Sequence, residues 1–92
     1  MRVKIGDKVE LPFYDEANPY TVRARDDRYI ICTNNECYFI VDLERQVRGA
    51  DNMVFCSGYE TDEDCQERLG ELQRGEIEVS YRNVVPLDID IE

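Results

Sequence analysis

The sequence contains no histidine. Histidine is the commonest general base in enzymes and activates the nucleophile in the Ser-His and Cys-His arrangements, so its absence excludes both arrangements. Ser57 and Ser80 are the only serines, and no glycine-rich phosphate-binding loop is present. The sequence therefore predicts a protein that is not an enzyme and that holds no cofactor.

Long hydrophobic runs are also missing. None approaches the roughly 20 apolar residues that a membrane-spanning helix needs, and residues 1–7 lack the apolar core of a secretory signal. We therefore expect a cytoplasmic protein without membrane contact. In that compartment its four cysteines stay reduced.

The spacing of the cysteines does not favour a metal site. Zinc ligands generally come in pairs two to four residues apart, whereas Cys56 and Cys65 are much further separated. Cys32 falls within an apolar run and Cys65 on the apolar side of a predicted helix, where a free thiol behaves as a small hydrophobic group. We predict buried thiols and no metal.

Positive charge is scarce. Eleven Lys and Arg residues stand against 21 Asp and Glu residues, which gives a net charge of −10. The imbalance is local, because residues 60–92 hold eleven acidic and three basic side chains. A surface of this sign repels nucleic acid and anionic lipid, so direct binding to either is disfavoured and a basic protein surface is the favoured partner.

The 92 residues are the size of one domain, which we place at 1–92. Short apolar or alternating runs separated by turn residues predict strands. Residues 20–25 and 28–33 form a predicted hairpin around Asp26 and Asp27, and residues 37–43 a central strand. The other predicted strands are residues 5–11, 53–56, 77–81, 84–85 and an edge strand at 87–92, with a polar connection at 44–52.

One helix is predicted near residues 61–74. Thr61 is a good N-cap, Gly75 suits the left-handed C-terminal position, and the inward stripe is Cys65, Leu69 and Leu72. Within it, Gly70 indicates close packing against a neighbouring strand. The expected fold is α+β, a curved antiparallel sheet of about five strands packed against this helix, with an SH3-like small barrel as one form of that sheet.

Two sets of carboxylates are candidate binding residues. Glu63, Glu67 and Glu71 are spaced four apart and so lie on one helix stripe about 6 Å from one another. Asp88 and Asp90 would project to one side of the tail strand. A solvated helix face and a charged edge strand account for these sets without a function; a docking face for a basic surface is the functional alternative.

The helix also contains cations that can offset its like charges. We expect two ion pairs within it, Asp64 with Arg68 and Glu71 with Arg74.

Five arginines suggest an alternative function. Guanidinium groups bind phosphate in a bidentate manner, so a module that sequesters a small molecule or nucleotide could use them. Neighbouring aspartates could instead pair with them. These arginines are Arg23, Arg25, Arg28, Arg48 and Arg82.

The chain resembles a family of small proteins encoded by phages and other mobile elements of prokaryotes, whose members lack an assigned activity. The resemblance covers most of residues 20–89, and the chain departs from it at Asn34, Asn35 and Glu36, where the family has a longer, more basic loop. Separately, Gly6-Asp7-Lys8-Val9 is similar to the first strand of SH3-like barrels. The residues that carry the family resemblance are Tyr20-Thr21-Val22, Asp27-Arg28-Tyr29-Ile30-Ile31-Cys32-Thr33, Ile40-Val41-Asp42, Arg48-Gly49, Asp51-Asn52, Gly58-Tyr59-Glu60-Thr61, Asp64-Cys65, Glu78-Val79-Ser80, Arg82-Asn83 and Pro86-Leu87-Asp88-Ile89.

This resemblance implies a context. Small accessory proteins of mobile elements often inhibit host proteins, including defence proteins, and acidic inhibitors can present carboxylates in place of phosphates. The leading hypothesis is a non-enzymatic protein-binding module, a phage-encoded inhibitor of a host defence or nucleic-acid-handling protein that acts through residues 60–92. A self-associating structural or virion protein is a further alternative.

Overall fold

The computed structural model describes residues 6, 8–9, 20–34, 37–50 and 58–87 of the chain. These residues form an antiparallel sheet and one helix, and the helix lies between the last two strands in the sequence. The elements are β1 (Lys8–Val9), β2 (Tyr20–Arg25), β3 (Tyr29–Thr33), β4 (Tyr38–Asp42), β5 (Val47–Ala50), α1 (Asp62–Arg74) and β6 (Val85–Pro86).

Each strand pairs with the next in chain order, so the sheet has the order β1-β2-β3-β4-β5-β6. The edge strands β1 and β6 have two residues each, and β2 to β5 make up most of the sheet. Within the described ranges, β1 and β6 lie at opposite edges and the sheet stays open. The predicted α+β fold is confirmed, but its SH3-like barrel form is wrong because the sheet does not close.

The predicted β2–β3 hairpin is confirmed, and it contains a β-bulge. Val22 pairs with Cys32, but Ala24 pairs with Ile31, so Arg23 is an extra residue on β2. A bulge reverses the side to which the following residues point. As a result Val22 and Ala24 are buried on opposite faces of the sheet.

The predicted polar connection at 44–52 is wrong, because β5 occupies Val47–Ala50. A second register shift, between Ile40 and Val41, leaves Gly49 as the extra residue of β5. Gly49 has a φ of 86°, which an L side chain rarely adopts. The polar residues of this stretch do not predict a strand, yet the strand forms and Arg48 within it is only 2% exposed.

Both faces of the sheet are buried, each by its own group of side chains. The opposite-face cluster lies on the side away from α1, and an edge-to-face contact joins its Tyr20 and Phe39 rings at 4.6 Å. Its members are Tyr20, Val22, Ile30, Cys32, Phe39 and Val41. The helix-side cluster consists of Ala24, Ile31, Ile40, Ala50, Tyr59, Cys65, Leu69 and Leu72.

The helix begins and ends where the sequence predicts. The Oγ1 atom of Thr61 accepts a 3.0 Å hydrogen bond from the Asp64 amide, and Gly75 adopts the left-handed conformation with a φ of 73°. Cys65, Leu69 and Leu72 are buried, which confirms the predicted inward stripe. Burial of these side chains stabilises the docked helix by roughly 1.5–3 kcal/mol for each leucine.

Two polar contacts fix the direction of α1 on the sheet. Asp62, at the start of the helix, forms a 2.9 Å ion pair with Arg23. Near the other end, Gln73 Nε2 donates a 2.9 Å hydrogen bond to Asp26, just beyond the end of β2. The helix therefore runs in the same direction as β2.

Gly70 does not approach a strand, so that prediction is wrong. Among the described residues, a Cβ atom built at Gly70 would meet only the guanidinium of Arg74, with Nη1 at 3.0 Å. Gly70 lies on the outer side of α1, opposite the buried stripe. The glycine therefore leaves room for Arg74 to fold back along the helix surface.

The predicted strand at residues 77–81 is also wrong. Apart from a single bridge residue, Ser80, this segment belongs to neither helix nor strand. Ile77, Val79 and Tyr81 pack against the helix-side cluster, which explains the alternating pattern without strand pairing. The predicted strands at 53–56 and 87–92 lie outside the described residues, except for Leu87.

Candidate functional site

The first turn of α1 carries a group of carboxylates that the local sequence places there. Thr61 caps the helix, and Glu60, just before it, accepts a 2.7 Å hydrogen bond from the Gly58 amide. Asp62, Glu63 and Asp64 then occupy the first turn, where the unpaired amide groups of the helix favour negative charge. Helix capping therefore accounts for the presence of acidic residues at this end.

We call the carboxylates at this end, four of them exposed and Asp64 half-buried, the acidic helix surface. Glu63 and Glu67 lie on the side of α1 opposite the buried stripe and are exposed. The carboxylates of Glu63 and Asp64 make no ion pair or hydrogen bond with another described residue; Glu63 is exposed and Asp64 is half-buried. The members of the acidic helix surface are Glu60, Asp62, Glu63, Asp64 and Glu67.

Glu71 does not continue this surface. Its side chain is 19% exposed, against 65% for Glu67, and its carboxylate pairs with Arg68. Four residues advance slightly more than one helical turn, so the predicted stripe drifts around the helix and Glu71 reaches its flank. The structure therefore brings Glu63 and Glu67 together on the exposed side but separates Glu71 from them.

The cations of α1 pair differently from the prediction. Arg68 Nη2 lies 3.0 Å from Glu67 Oε1 and also contacts Glu71, rather than pairing with Asp64. Arg74 forms a 2.8 Å ion pair with Glu76, just after the helix, rather than with Glu71. Positive charge is thus concentrated toward the C-terminal half of α1, and the N-terminal half remains acidic.

The tail carboxylates predicted to share this function, Asp88 and Asp90, lie outside the described residues. Within the described ranges, the candidate site consists of the acidic helix surface.

The structure separates two of the five arginines predicted to bind an anion, Arg23 and Arg28. Arg23 contacts Thr33 and Asp62 near the start of α1, whereas Arg28 lies at the other end of β3 and pairs with Asp42 and Glu44. Of the other three, Arg25 is half-buried on β2, Arg48 is buried on β5, and Arg82 is exposed in a turn after Tyr81.

Sequence reasoning missed a buried carboxylate at the end of β4. Asp42 is fully buried and accepts hydrogen bonds from the amides of Glu44 and Arg45 at 3.0 and 3.2 Å. Arg28 donates two further bonds of 3.4 Å, and the hydroxyl of Tyr81 donates one of 2.6 Å. A lone aspartate at the end of the most apolar strand is the signal that could have revealed it.

These contacts set the protonation of the group. Burial opposes ionisation of Asp42, but the hydrogen bonds from Tyr81, Arg28 and Arg45 outweigh it and lower its pKa. Burial and the hydrogen bond to Asp42 raise the pKa of Tyr81 to about 12. The carboxylate is charged and the phenol neutral at pH 7, and the described donors around Asp42 give it a structural role.

Cys32 and Cys65 are buried thiols, as predicted, and Cys37 is exposed. Burial raises the pKa of Cys65 to about 11 and raises that of Cys32 further. Thiolate is the reactive and metal-binding form, so neither buried cysteine is suited to nucleophilic or ligand chemistry. Within the described ranges, no cluster of three or more His, Cys, Asp or Glu side chains could hold a metal ion.

Comparison of the chain with protein-family models, curated proteins and solved structures finds no match. No helix in the described part of the chain has both the length and the apolar character needed to cross a membrane.

Proposed function

We propose that this protein is a non-enzymatic module that binds a basic surface of another protein through the acidic helix surface. The observation that supports this most is the state of Glu63 and Asp64. They lie on the rigid first turns of a well-capped helix, and no described cation neutralises either of them. A partner that supplies arginine or lysine at this position can form ion pairs with carboxylates that have no cation partner among the described residues.

The energetics favour such a partner. Like charges one helical turn apart destabilise a helix by a few tenths of a kcal/mol per pair. A basic partner converts that repulsion into attraction and also accelerates association through long-range steering. Because the helix is fixed to the sheet by Cys65, Leu69 and Leu72, its carboxylates are held in position before the partner arrives.

The phage-like resemblance suggests what the partner does. In this proposal the protein acts in the host cytosol and occupies the nucleic-acid site of a host defence or nucleic-acid-handling protein. Glu63 and Glu67, about 6 Å apart on one stripe, present negative charge in a row as a phosphate backbone does. The absence of histidine supports inhibition by occupancy rather than by chemistry.

Two variants with the same net charge test the proposal. The first reverses Glu63 and Glu67 to lysine on the acidic helix surface. The second, a control, reverses Asp27 and Glu78, which are exposed elsewhere and make no ion pair or hydrogen bond with another described side chain. Tagged wild-type protein and both variants are used to capture host proteins, which are quantified by mass spectrometry.

We expect the first variant to capture at least about tenfold less of a basic host protein, equivalent to about 1.4 kcal/mol, and the control to match wild type. Equal losses in both variants would show that only overall charge matters. Unchanged capture by the first variant would contradict the proposal.

A further inference from the structure

Residues 77–84 pass over the helix-side cluster as a segment that we call the strap. Ile77, Val79, Tyr81 and Val84 are half-buried and pack against that cluster, while Glu78 is exposed. Unlike the strands beneath it, the strap belongs to no ladder of the sheet, apart from the single bridge residue. Its attachment therefore depends mainly on side chains.

Among the described residues, one side-chain hydrogen bond joins the strap to the sheet. The Tyr81 hydroxyl donates to Asp42 Oδ2 at 2.6 Å, across 39 positions of sequence. The ring of Tyr81 is covered from outside by Arg45, whose guanidinium carbon lies 4.0 Å from the ring centroid. Because Asp42 is fully buried and charged, this bond is stronger than one between neutral, exposed groups.

Both ends of the strap are fixed points. On one side α1 terminates at Gly75, and on the other β6 pairs with β5 and the Leu87 amide donates a 2.8 Å hydrogen bond to the Gln46 carbonyl. A segment anchored at both ends, and held between them mainly by side chains and one bridge residue, can detach without unfolding the sheet, since local opening costs less free energy than global unfolding.

We propose that the strap is a conformational device that opens as a unit, and that the Tyr81–Asp42 hydrogen bond stabilises its closed state. Opening removes four half-buried side chains from the helix-side cluster and uncovers apolar surface around Tyr29, which packs against the same cluster. The sheet and α1 remain folded in the open state, because their buried residues contact one another directly.

Proteolysis of the native protein measures the opening. Trypsin cleaves after arginine only in locally unfolded chain, and when opening is fast the rate reports the population of the open state. Arg82 is an exposed residue within the strap, and Arg28 lies in the β2–β3 hairpin. Cleavage after Arg82 therefore reports opening of the strap, and cleavage after Arg28 reports unfolding of the sheet.

The test compares Tyr81→Phe with Tyr29→Phe. Both remove one hydroxyl from a half-buried tyrosine on the same face, but the Tyr29 hydroxyl makes no hydrogen bond with another described residue. We expect Tyr81→Phe to accelerate cleavage after Arg82 about tenfold, which corresponds to the loss of a hydrogen bond to a charged group. In every variant cleavage after Arg82 should be faster than cleavage after Arg28, because the strap opens more often than the sheet unfolds, and Tyr29→Phe should change neither rate.

Two results would overturn this inference. An unchanged rate of cleavage after Arg82 in Tyr81→Phe would show that the hydrogen bond does not stabilise the closed strap. Cleavage after Arg82 that is no faster than cleavage after Arg28 would show that the strap and the sheet unfold together.

Discussion

The hydroxyl of Tyr81 and the carboxylate of Asp42 are joined by a 2.6 Å hydrogen bond that connects the segment after α1 to the end of β4. The same carboxylate accepts hydrogen bonds from the amides of Glu44 and Arg45, which stabilises the β4–β5 turn. One buried charge thus links parts of the chain that are far apart in sequence. The stability of the fold should depend on it more than on any exposed ion pair.

Replacing Asp42 should be costly. Asp42→Ala leaves the donors of Arg28, Tyr81 and the turn without their acceptor, so the free energy of unfolding should fall by about 3 kcal/mol. Urea denaturation followed by circular dichroism measures the change. Glu44→Ala is the control, since its exposed ion pair with Arg28 contributes less than about 1 kcal/mol.

Asp42 should also make stability depend on acid pH. Its folded pKa lies below the unfolded value near about 3.9. Its contribution is therefore fully present above the unfolded pKa and is lost as the pH falls through the folded pKa. Urea midpoints measured from pH 6 to pH 2 should fall less steeply in Asp42→Asn. A residual slope should remain because the pKa of Asp26 is lowered too; an unchanged slope would contradict the assignment to Asp42.

Tyr81 should give the opposite dependence at alkaline pH. Its folded pKa of about 12 lies above the unfolded value near about 10, so its contribution is present below the unfolded pKa and is lost as the pH rises through the folded pKa. Burial raises the pKa of Tyr59 further still, so ultraviolet titration of tyrosinate should show that later transition in both proteins and, below it, a transition that disappears in Tyr81→Phe. Its persistence in that variant would assign the transition to another tyrosine.

Two glycine substitutions in and beside α1 should have opposite signs. Gly70→Ala should stabilise the protein by roughly 0.5–1 kcal/mol, since the only nearby obstacle is the flexible end of Arg74. Gly75→Ala should destabilise it by about 1 kcal/mol, because its φ of 73° is left-handed. Thermal unfolding of both variants checks this, and destabilisation by Gly70→Ala would show that Arg74 cannot move aside.

The thiols should differ in reactivity. In a Cys56→Ser background, an aromatic disulfide reagent at pH 8 should react quickly with exposed Cys37 and slowly with buried Cys32 and Cys65, whose pKa values are raised. Adding denaturant should make all three react. Rapid reaction of a second thiol in the folded protein would contradict the burial of Cys32 and Cys65.

The helix was predictable because its signals are local. Thr61, the acidic first turn and Gly75 each act within a few residues, and Cys65, Leu69 and Leu72 follow the helical period. The β2–β3 hairpin was predictable for the same reason, since the turn at Asp26 and Asp27 separates two apolar runs.

Strands and the candidate site depend on distant contacts that a sequence pattern does not encode. The sequence does not predict β5 because Arg48 and Gly49 are untypical of a strand. In the fold, Arg48 is buried on the sheet and Gly49 is the extra residue of a bulge. The strap was misread as a strand because alternation reports which side is buried, not whether the backbone pairs. The role of Asp42 depends on Tyr81, 39 positions away.

The charge pattern predicted the acidity of the α1 region but not which carboxylates lack an ion pair with a described residue. Glu63, Glu67 and Glu71 look equivalent in the sequence. In the fold, Arg68 lies next to Glu71 and Glu67, and only Glu63 makes no ion pair. Side-chain packing on the helix flank, rather than spacing alone, decides the difference.

The most direct test of the proposed function is a nuclear magnetic resonance titration of isotope-labelled protein with the purified basic partner recovered by capture. The account predicts that the amide signals of residues 60–67 shift and saturate first, and that the shifts weaken as salt screens the charges. Signals from the β2–β3 turn, including Asp27, should stay in place. Saturating shifts confined to the sheet or the strap, with residues 60–67 unchanged, would contradict the claim that the acidic helix surface is the binding site.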